Sequence, residues 1–356
     1  MLSSTPLNPL EGSGTFVGID GLRRGLTRLG HTFELRPLRL RTGFHTLDRW
    51  LYNATVALRP PRGVDLVYGV DLDGFLWARR RRVPFVVSLK GIIADELKNE
   101  RGWVRALLAI QARWERLNAR RADVVIVSSR YSAGVAHAAY GLDASVLTVV
   151  PEPIDLEGWT ARFAAAQRRP RAGPTVLCVA RLYPRKRIGD LLEAAALLRR
   201  GIPTVAVRIV GKGQDWEALV RRHAALGLGG TVTLLGDVSR EQLAEEYVNA
   251  DVFCLPTVQE GFGIVFLEAM AAALPVVACR AAAVPEVVED AVTGVLVPPR
   301  DPPALAGALE ALARDPARAR ALGQAGRRRV EGFTPDRVAG HFLDAVRLAT
   351  GGRGLP

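Results

Sequence analysis

The sequence predicts an α/β protein made of two tandem Rossmann-like, doubly wound domains facing each other across a cleft. Three observations predict it. The chain has 356 residues, too many for one hydrophobic core and right for two domains. Short apolar runs alternate with helical stretches along nearly its whole length, the rhythm of parallel α/β sheets. A proline-bearing segment, Pro151 to Pro174, breaks that rhythm near the middle.

In the first half the apolar runs are Val64–Gly69, Phe85–Leu89, Asp123–Ser128 and Val146–Val150. Leu2–Thr5 is the one stretch available for an earlier strand. A helix is expected over Thr15–Leu29, a basic helical stretch before Phe85, and a long helix over Trp103–Arg121. The second half opens with the strand at Thr175. Further strands follow at Val205–Gly211, Thr231–Gly236, Asp251–Pro256, Pro275–Cys279 and Gly294–Pro298, with helices at Gly189–Arg200, Asp215–Leu226 and Arg240–Ala250 between them. The expected division is 1–167, 168–335, and a C-terminal helix and tail, 336–356, that packs back toward the first domain.

Composition narrows the function classes. Hydrophobic residues make up 49% and charged residues 24%, which excludes global disorder. No apolar run reaches the roughly 18–20 residues that span a bilayer, and Met1–Pro6 lacks the basic and apolar regions of a signal peptide. A cytoplasmic protein is expected. The net charge of +12 first suggests nucleic acid. Yet the basic residues are spread over both halves, and only Lys90, Lys98, Lys186 and Lys212 are lysines, so no nucleic-acid partner is expected. Attraction to an anionic membrane or an acidic acceptor fits the charge. Cys178, Cys254 and Cys279 lie in strand-like runs without metal-ligand spacing and read as buried small hydrophobes. His31, His45, His137, His223 and His341 pair with no nucleophile and read as structural.

Chemistry concentrates in the second half. Glu260-Gly261-Phe262-Gly263-Ile264 follows one strand and opens a helix ending near Ala273. Its glycines let a ligand approach the backbone, and the helix start offers free N–H groups to an anion. Glu268 lies about 7–8 Å further along the helix axis. The alternative is a glycine turn whose acidic residues favour a helix start. Arg181-Leu182-Tyr183-Pro184-Arg185-Lys186-Arg187 directly follows the first strand of this half. Arg181 and Lys186 are candidates to neutralise a departing diphosphate, while Arg185 and Arg187 read as solvated. Gly211-Lys212-Gly213 reads as a turn rather than a close-approach loop. Gly12-Ser13-Gly14, before the first helix, is weak evidence for a cleft-facing loop.

In order and spacing, VARLYPRK (Val179–Lys186), IVGKGQDWEAL (Ile209–Leu219), LGDVSREQLAEEYVNADVFCLPT (Leu235–Thr257) and the run from Glu260 to Leu309 resemble glycosyltransferase family 4. The resemblance covers roughly residues 175–350 strongly and 1–160 loosely. It implies the GT-B fold and retaining transfer of a hexosyl group from a nucleotide diphosphate sugar, with no metal and no cofactor. Glu260 would meet the donor sugar, and the backbone around Phe262, Gly263 and Ile264 the diphosphate. Glu268 would hold the ribose, Val238 would lie near the base, and Arg181 and Lys186 would stabilise the leaving group. The acceptor would be a glycan, a lipid-linked sugar or a small molecule. A sugar phosphorylase or epimerase shares the fold, and a nucleotide-sugar-binding protein without turnover is the non-enzyme alternative.

The chain departs from the family pattern at three places. Lys90-Gly91 stands where the family usually has His-Gly, which makes Lys90 a candidate on the acceptor side, beside Gly14 of the loop before the first helix. Pro151-Glu152-Pro153 replaces a proline followed by Asn-Gly, and Ala282-Ala283 replaces a glycine pair. Asp71-Leu72-Asp73 has the Asp-x-Asp spacing of metal-dependent transferases of another fold, but the C-terminal motifs already account for the donor. Trp103, Leu107, Leu108, Trp114 and Leu117 form an amphipathic stripe that either packs on the sheet or lies at a membrane surface.

Overall fold

The computed structural model describes residues 1–4, 14–39, 41–170 and 172–351. The chain divides into two compact units, Met1–Pro153 with Thr334–Pro356, and Ile154–Phe333.

The first unit carries β1 (Leu2–Ser3), β2 (Arg36–Pro37), β3 (Val67–Val70), β4 (Phe85–Leu89), β5 (Val124–Val127) and β6 (Leu147–Val149). They form one parallel sheet in the order β2-β1-β3-β4-β5-β6. β2, only two residues long and proline-bearing, had no apolar signature to find. The basic stretch before β4 forms a short 3-10 turn, Trp77–Arg80, rather than a helix. β4 is buried throughout because both faces are covered. Phe85, Val87 and Leu89 join Val125 and Val127 in one core, and Val86 joins Val124 and Ile126 in the other, as a two-residue repeat requires.

Helix Gly14–Arg28 lies close to its neighbours because one of its faces has no side chains. A Cβ on Gly18 would stand 2.0 Å from Glu152 Oε2, and one on Gly25 would stand 2.2 Å from the Pro335 carbonyl. Helix Pro335–Thr350 therefore seats against it. Val338, Phe342 and Val346 enter the same core, and Phe342 meets Tyr68 edge-on at 5.4 Å.

The second unit contains β7 (Thr175–Val179), β8 (Ala206–Val210), β9 (Val232–Gly236), β10 (Val252–Leu255), β11 (Val276–Cys279) and β12 (Gly294–Val297). Its parallel sheet runs β12-β11-β10-β7-β8-β9. The order reverses between β7 and β10, and such switch points open a crevice at the strands' carboxyl ends. Cys178, Cys254 and Cys279 are buried and free; burial pushes the Cys178 thiol up to about 12.

Two expectations need correction. The boundary expected between residues 167 and 168 falls at Pro153/Ile154. Helix Leu156–Ala165 binds its chain to the second unit through Trp159, whose ring meets Tyr247 edge-on at 5.5 Å. The long helix, Gly102–Ala119, packs only part of the expected stripe inward, Leu108 and Trp114, with Trp114 stacked on Phe75 at 5.5 Å, and buries Gln111, Glu115 and Asn118 beside them. Gln111 accepts from Arg49, Glu115 accepts from the Ile93 N–H, and Asn118 donates to the Asp71 and Asp73 carbonyls. Trp103, Val104, Ile110 and Leu117 are exposed. The helix's buried amides and carboxylate face polar groups of the interior, Arg49 among them, which satisfies their hydrogen bonding.

Candidate active site

At the carboxyl ends of neighbouring strands, the second unit sets four loops in a row. The Glu260 loop follows β10, Arg181–Lys186 follows β7, Gly211–Gly213 follows β8, and Val238 follows β9. At about 4.8 Å per strand, the row from β10 to β9 spans about 14 Å.

The central contact joins two of the expected residues. Lys186 Nζ, in the turn Pro184–Lys186, is ion-paired with Glu260 Oε1 across the switch point. Backbone bonds hold the two loops in register: Val258 N–H donates to the Arg185 carbonyl at 3.0 Å, and the buried Thr257 Oγ1 donates to the same carbonyl at 3.2 Å. Arg181 is exposed, and its guanidinium has no hydrogen-bond or ion-pair partner among the described residues. The loop thus combines a restrained ammonium with an unengaged guanidinium.

Gly263 caps helix Ile264–Ala271 at φ +94°, a conformation that favours glycine. A Cβ there would also meet the Phe266 ring at 2.6 Å. Phe266 N–H closes back on the Gly263 carbonyl at 2.9 Å, while Ile264 and Val265 carry first-turn N–H groups that no helix satisfies internally. Phe262 and Ile264 point their side chains inward; Phe262 meets Phe333 at 5.7 Å. Their contribution to a ligand would come from backbone. Ala283 N–H donates to the Glu260 carbonyl at 3.3 Å, and Ala282 keeps a glycine-like φ of +49°.

Glu268 lies one turn further on, partly exposed, and accepts from the Tyr247 hydroxyl at 3.0 Å. Burial pushes its carboxyl up to about 7, against the Tyr247 hydrogen bond and the charge of Arg240. Val238 is half-buried between β9 and helix Arg240–Val248.

Three readings of loop residues change. Arg187 is part-exposed but engaged: it pairs with the buried Asp190 at 2.6 Å and holds a left-handed φ of +54°. Arg185 lies over the Tyr183 ring at 4.9 Å. Gly211–Gly213 is a close-approach segment, not merely a turn. A Cβ on Gly211 would fall 2.0 Å from the Ala180 carbonyl oxygen, so the loops after β7 and β8 touch backbone to backbone.

Lys90 and Gly14 belong to the first unit. Gly14 is the exposed first residue of its helix; Gly12 and Ser13 lie outside the described residues. Lys90, just past β4, donates to both oxygens of Glu152, at 2.9 and 3.0 Å, and both side chains are about nine-tenths buried. Burial opposes its charge, but Glu152 more than offsets this and holds the ammonium above its ordinary pKa. Lys90 is therefore a neutralised cation rather than a free one. Glu152, 8% exposed, is its partner.

Asp71 and Asp73 are structural. Asp73, fully buried, accepts from the Ser4 N–H and Oγ, each at 2.6 Å, and from Asn53 at 3.2 Å. Asp71 accepts from the Lys90 N–H at 2.9 Å and faces Arg49 at 3.6 Å; burial pushes it up to about 6. His137 and His223 contact the Leu142 and Val232 carbonyls at 2.7 and 2.9 Å, both structural contacts.

Comparisons with known proteins show the family and the fold. The family described as "Glycosyl transferases group 1" matches residues 161–329, and that described as "Glycosyltransferase Family 4" matches residues 20–158. A GDP-mannose-dependent alpha-(1-6)-phosphatidylinositol monomannoside mannosyltransferase of Mycobacterium tuberculosis is 34% identical over 269 residues, 72% of this chain and 69% of that protein. The chain belongs to glycosyltransferase family 4. The protein of the same description from Mycolicibacterium smegmatis is 37% identical over 252 residues, 66% of this chain; the match spans 64% of that relative's length. A solved sucrose-phosphate synthase from Thermosynechococcus elongatus superposes with a TM-score of 0.78 over 98% of each chain at 23% identity. That likeness establishes the GT-B fold. No helix among the described residues is long and apolar enough to cross a membrane.

Tyr247 and Thr257 were missed in the sequence. Tyr247 sits in a helix with ordinary spacing, and Thr257 acts through a backbone carbonyl seventy-two residues away in sequence. Neither has a local signal.

Proposed function

We propose that the protein is a retaining hexosyltransferase that takes its sugar from a nucleoside diphosphate donor, GDP-mannose foremost. The single observation that carries this reading is the Lys186–Glu260 pair at the β7/β10 switch point, beside the glycine-capped helix start. The arrangement suits an extended diphosphate sugar. Glu260 accepts from the sugar hydroxyls, the first-turn N–H groups meet the diphosphate, Glu268 accepts from the ribose, and Val238 lines the base.

When the donor binds, its phosphates compete with Glu260 for the Lys186 ammonium, and Arg181 supplies a second cation. Two positive charges beside the leaving diphosphate offset the charge that develops there, which is the part a divalent ion plays elsewhere. On this reading no resident metal or cofactor is needed. The C1–O bond to the diphosphate breaks, and a bond forms from C1 to the acceptor oxygen. The acceptor's proton passes to the departing phosphate oxygen on the same face. The relatives' names pair GDP-mannose with an alpha-(1-6) product. That donor is itself α-linked, so the names support retention.

The acceptor falls to the first unit, which carries Lys90 and Gly14. We infer a lipid-linked glycan acceptor and peripheral contact with an anionic membrane. Trp103, Val104 and Ile110 are exposed on a helix that also shows Arg105 and Arg113 to solvent.

A thermal-shift screen of GDP-, UDP- and ADP-sugars tests the donor site. Stabilisation by one nucleotide series is expected, reduced in Glu260→Ala and in Arg181→Ala. Undiminished stabilisation in both variants sinks the assignment.

A further inference from the structure

We propose that Tyr247 is the positioning residue that fixes Glu268 for the ribose diol of the donor nucleotide. This rests on the reading that Glu268 meets the ribose.

The hydroxyl of Tyr247 donates to Glu268 Oε2 at 3.0 Å, from helix Arg240–Val248 to helix Ile264–Ala271. Glu268 is its hydrogen-bond partner among the described residues. The tyrosine ring is fully buried and cannot swing away. Trp159 stands edge-on to it at 5.5 Å, Phe163 edge-on at 6.0 Å, and Phe253 stacks at 6.2 Å. Three aromatic neighbours thus aim one phenol proton.

A glutamate side chain has three rotatable bonds, and its carboxylate offers about four lone-pair directions. The phenol occupies one of them. Oε1 and the remaining lone pair of Oε2 stay available, which is the pattern a vicinal diol needs for a two-point contact. Tyr247 also stabilises the ionised form, the only form that accepts from both hydroxyls. Burial works against that form, so the phenol offsets a cost that the site itself creates.

The prediction is a loss of sugar discrimination, not a general loss of binding. Calorimetric titration compares GDP with 2′-deoxy-GDP on wild type, Tyr247→Phe and Glu268→Ala, or the matching pair of whichever nucleotide the donor screen selects. In Tyr247→Phe, affinity for the ribonucleotide is expected to fall about tenfold while that for the deoxynucleotide changes less than twofold. Equal weakening of both ligands, or no weakening of either, overturns the proposal. Glu268→Ala separates the two layers: if it keeps wild-type discrimination, the ribose reading itself is wrong. If it loses discrimination while Tyr247→Phe keeps it, only the role of Tyr247 falls. Should Tyr247→Phe not fold, site-specific 3-fluorotyrosine at 247 keeps the ring's shape and donates more strongly. It is expected to lower the pH midpoint of nucleotide binding, and an unmoved midpoint overturns the proposal.

Discussion

Glu152→Gln removes the counter-charge from Lys90 and keeps nearly the same volume. In the native protein both carboxylate oxygens accept from the ammonium, at 2.9 and 3.0 Å, with the two side chains only 8–10% exposed. The Gly18 backbone closes the other side, since a Cβ there would stand 2.0 Å from Glu152 Oε2. The amide still accepts one hydrogen bond, but it leaves a buried positive charge without its paired carboxylate. Breaking such a pair costs about 3–5 kcal/mol, against about 0–1 kcal/mol for an exposed one. For a unit of this size the loss lowers the melting temperature by about 10 °C. Replacing both residues, as in Lys90→Met with Glu152→Leu, removes the charge along with its partner and is expected to restore most of the loss. Calorimetric melting and urea unfolding of Lys90→Met, Glu152→Leu and the double variant give the coupling between the sites. A loss below about 1 kcal/mol in Glu152→Gln refutes the burial argument, and so does a double variant as unstable as the sum of the single ones. The pH dependence has a definite sign. The lysine's folded pKa is raised above 10.5, so the stabilisation is complete below that value and is lost only as pH rises through the folded pKa.

Two further outcomes are expected. Donor affinity should follow ionisation of Glu268, raised to about 7 by burial. It is expected to plateau above that pH and to weaken below it, as the ionised fraction falls to about a tenth at pH 6. A titration of affinity against pH that stays flat between 6 and 8 contradicts this. Co-sedimentation with vesicles should show binding to anionic but not zwitterionic lipid, reduced several-fold by Trp103→Ser with Ile110→Ser; equal binding by wild type and variant removes the helix from the membrane contact.

Local pattern gave away much of the fold and of the candidate site because both are built from local features. Buried parallel strands are continuous apolar runs, and β4 and β7 follow them closely. A glycine at a helix start and cations at a strand's end keep their meaning within a few residues, so Glu260, Gly263, Arg181 and Lys186 stood out as candidates. Their grouping rests on strand order, which brings β7 beside β10 although some seventy residues separate them.

What the sequence could not decide was which polar groups would find each other. Gln111, Glu115 and Asn118 look like a solvated helix face, and only the buried partners around Arg49 and Asp71 turn that face inward. Lys90 read as an acceptor-side candidate, and nothing local showed that Glu152, 62 positions away, would pair with it. The reason is physical. Apolar burial is non-directional and follows from composition and period, whereas a buried charge or hydroxyl is settled by one partner at one distance, and that partner is chosen by tertiary structure alone.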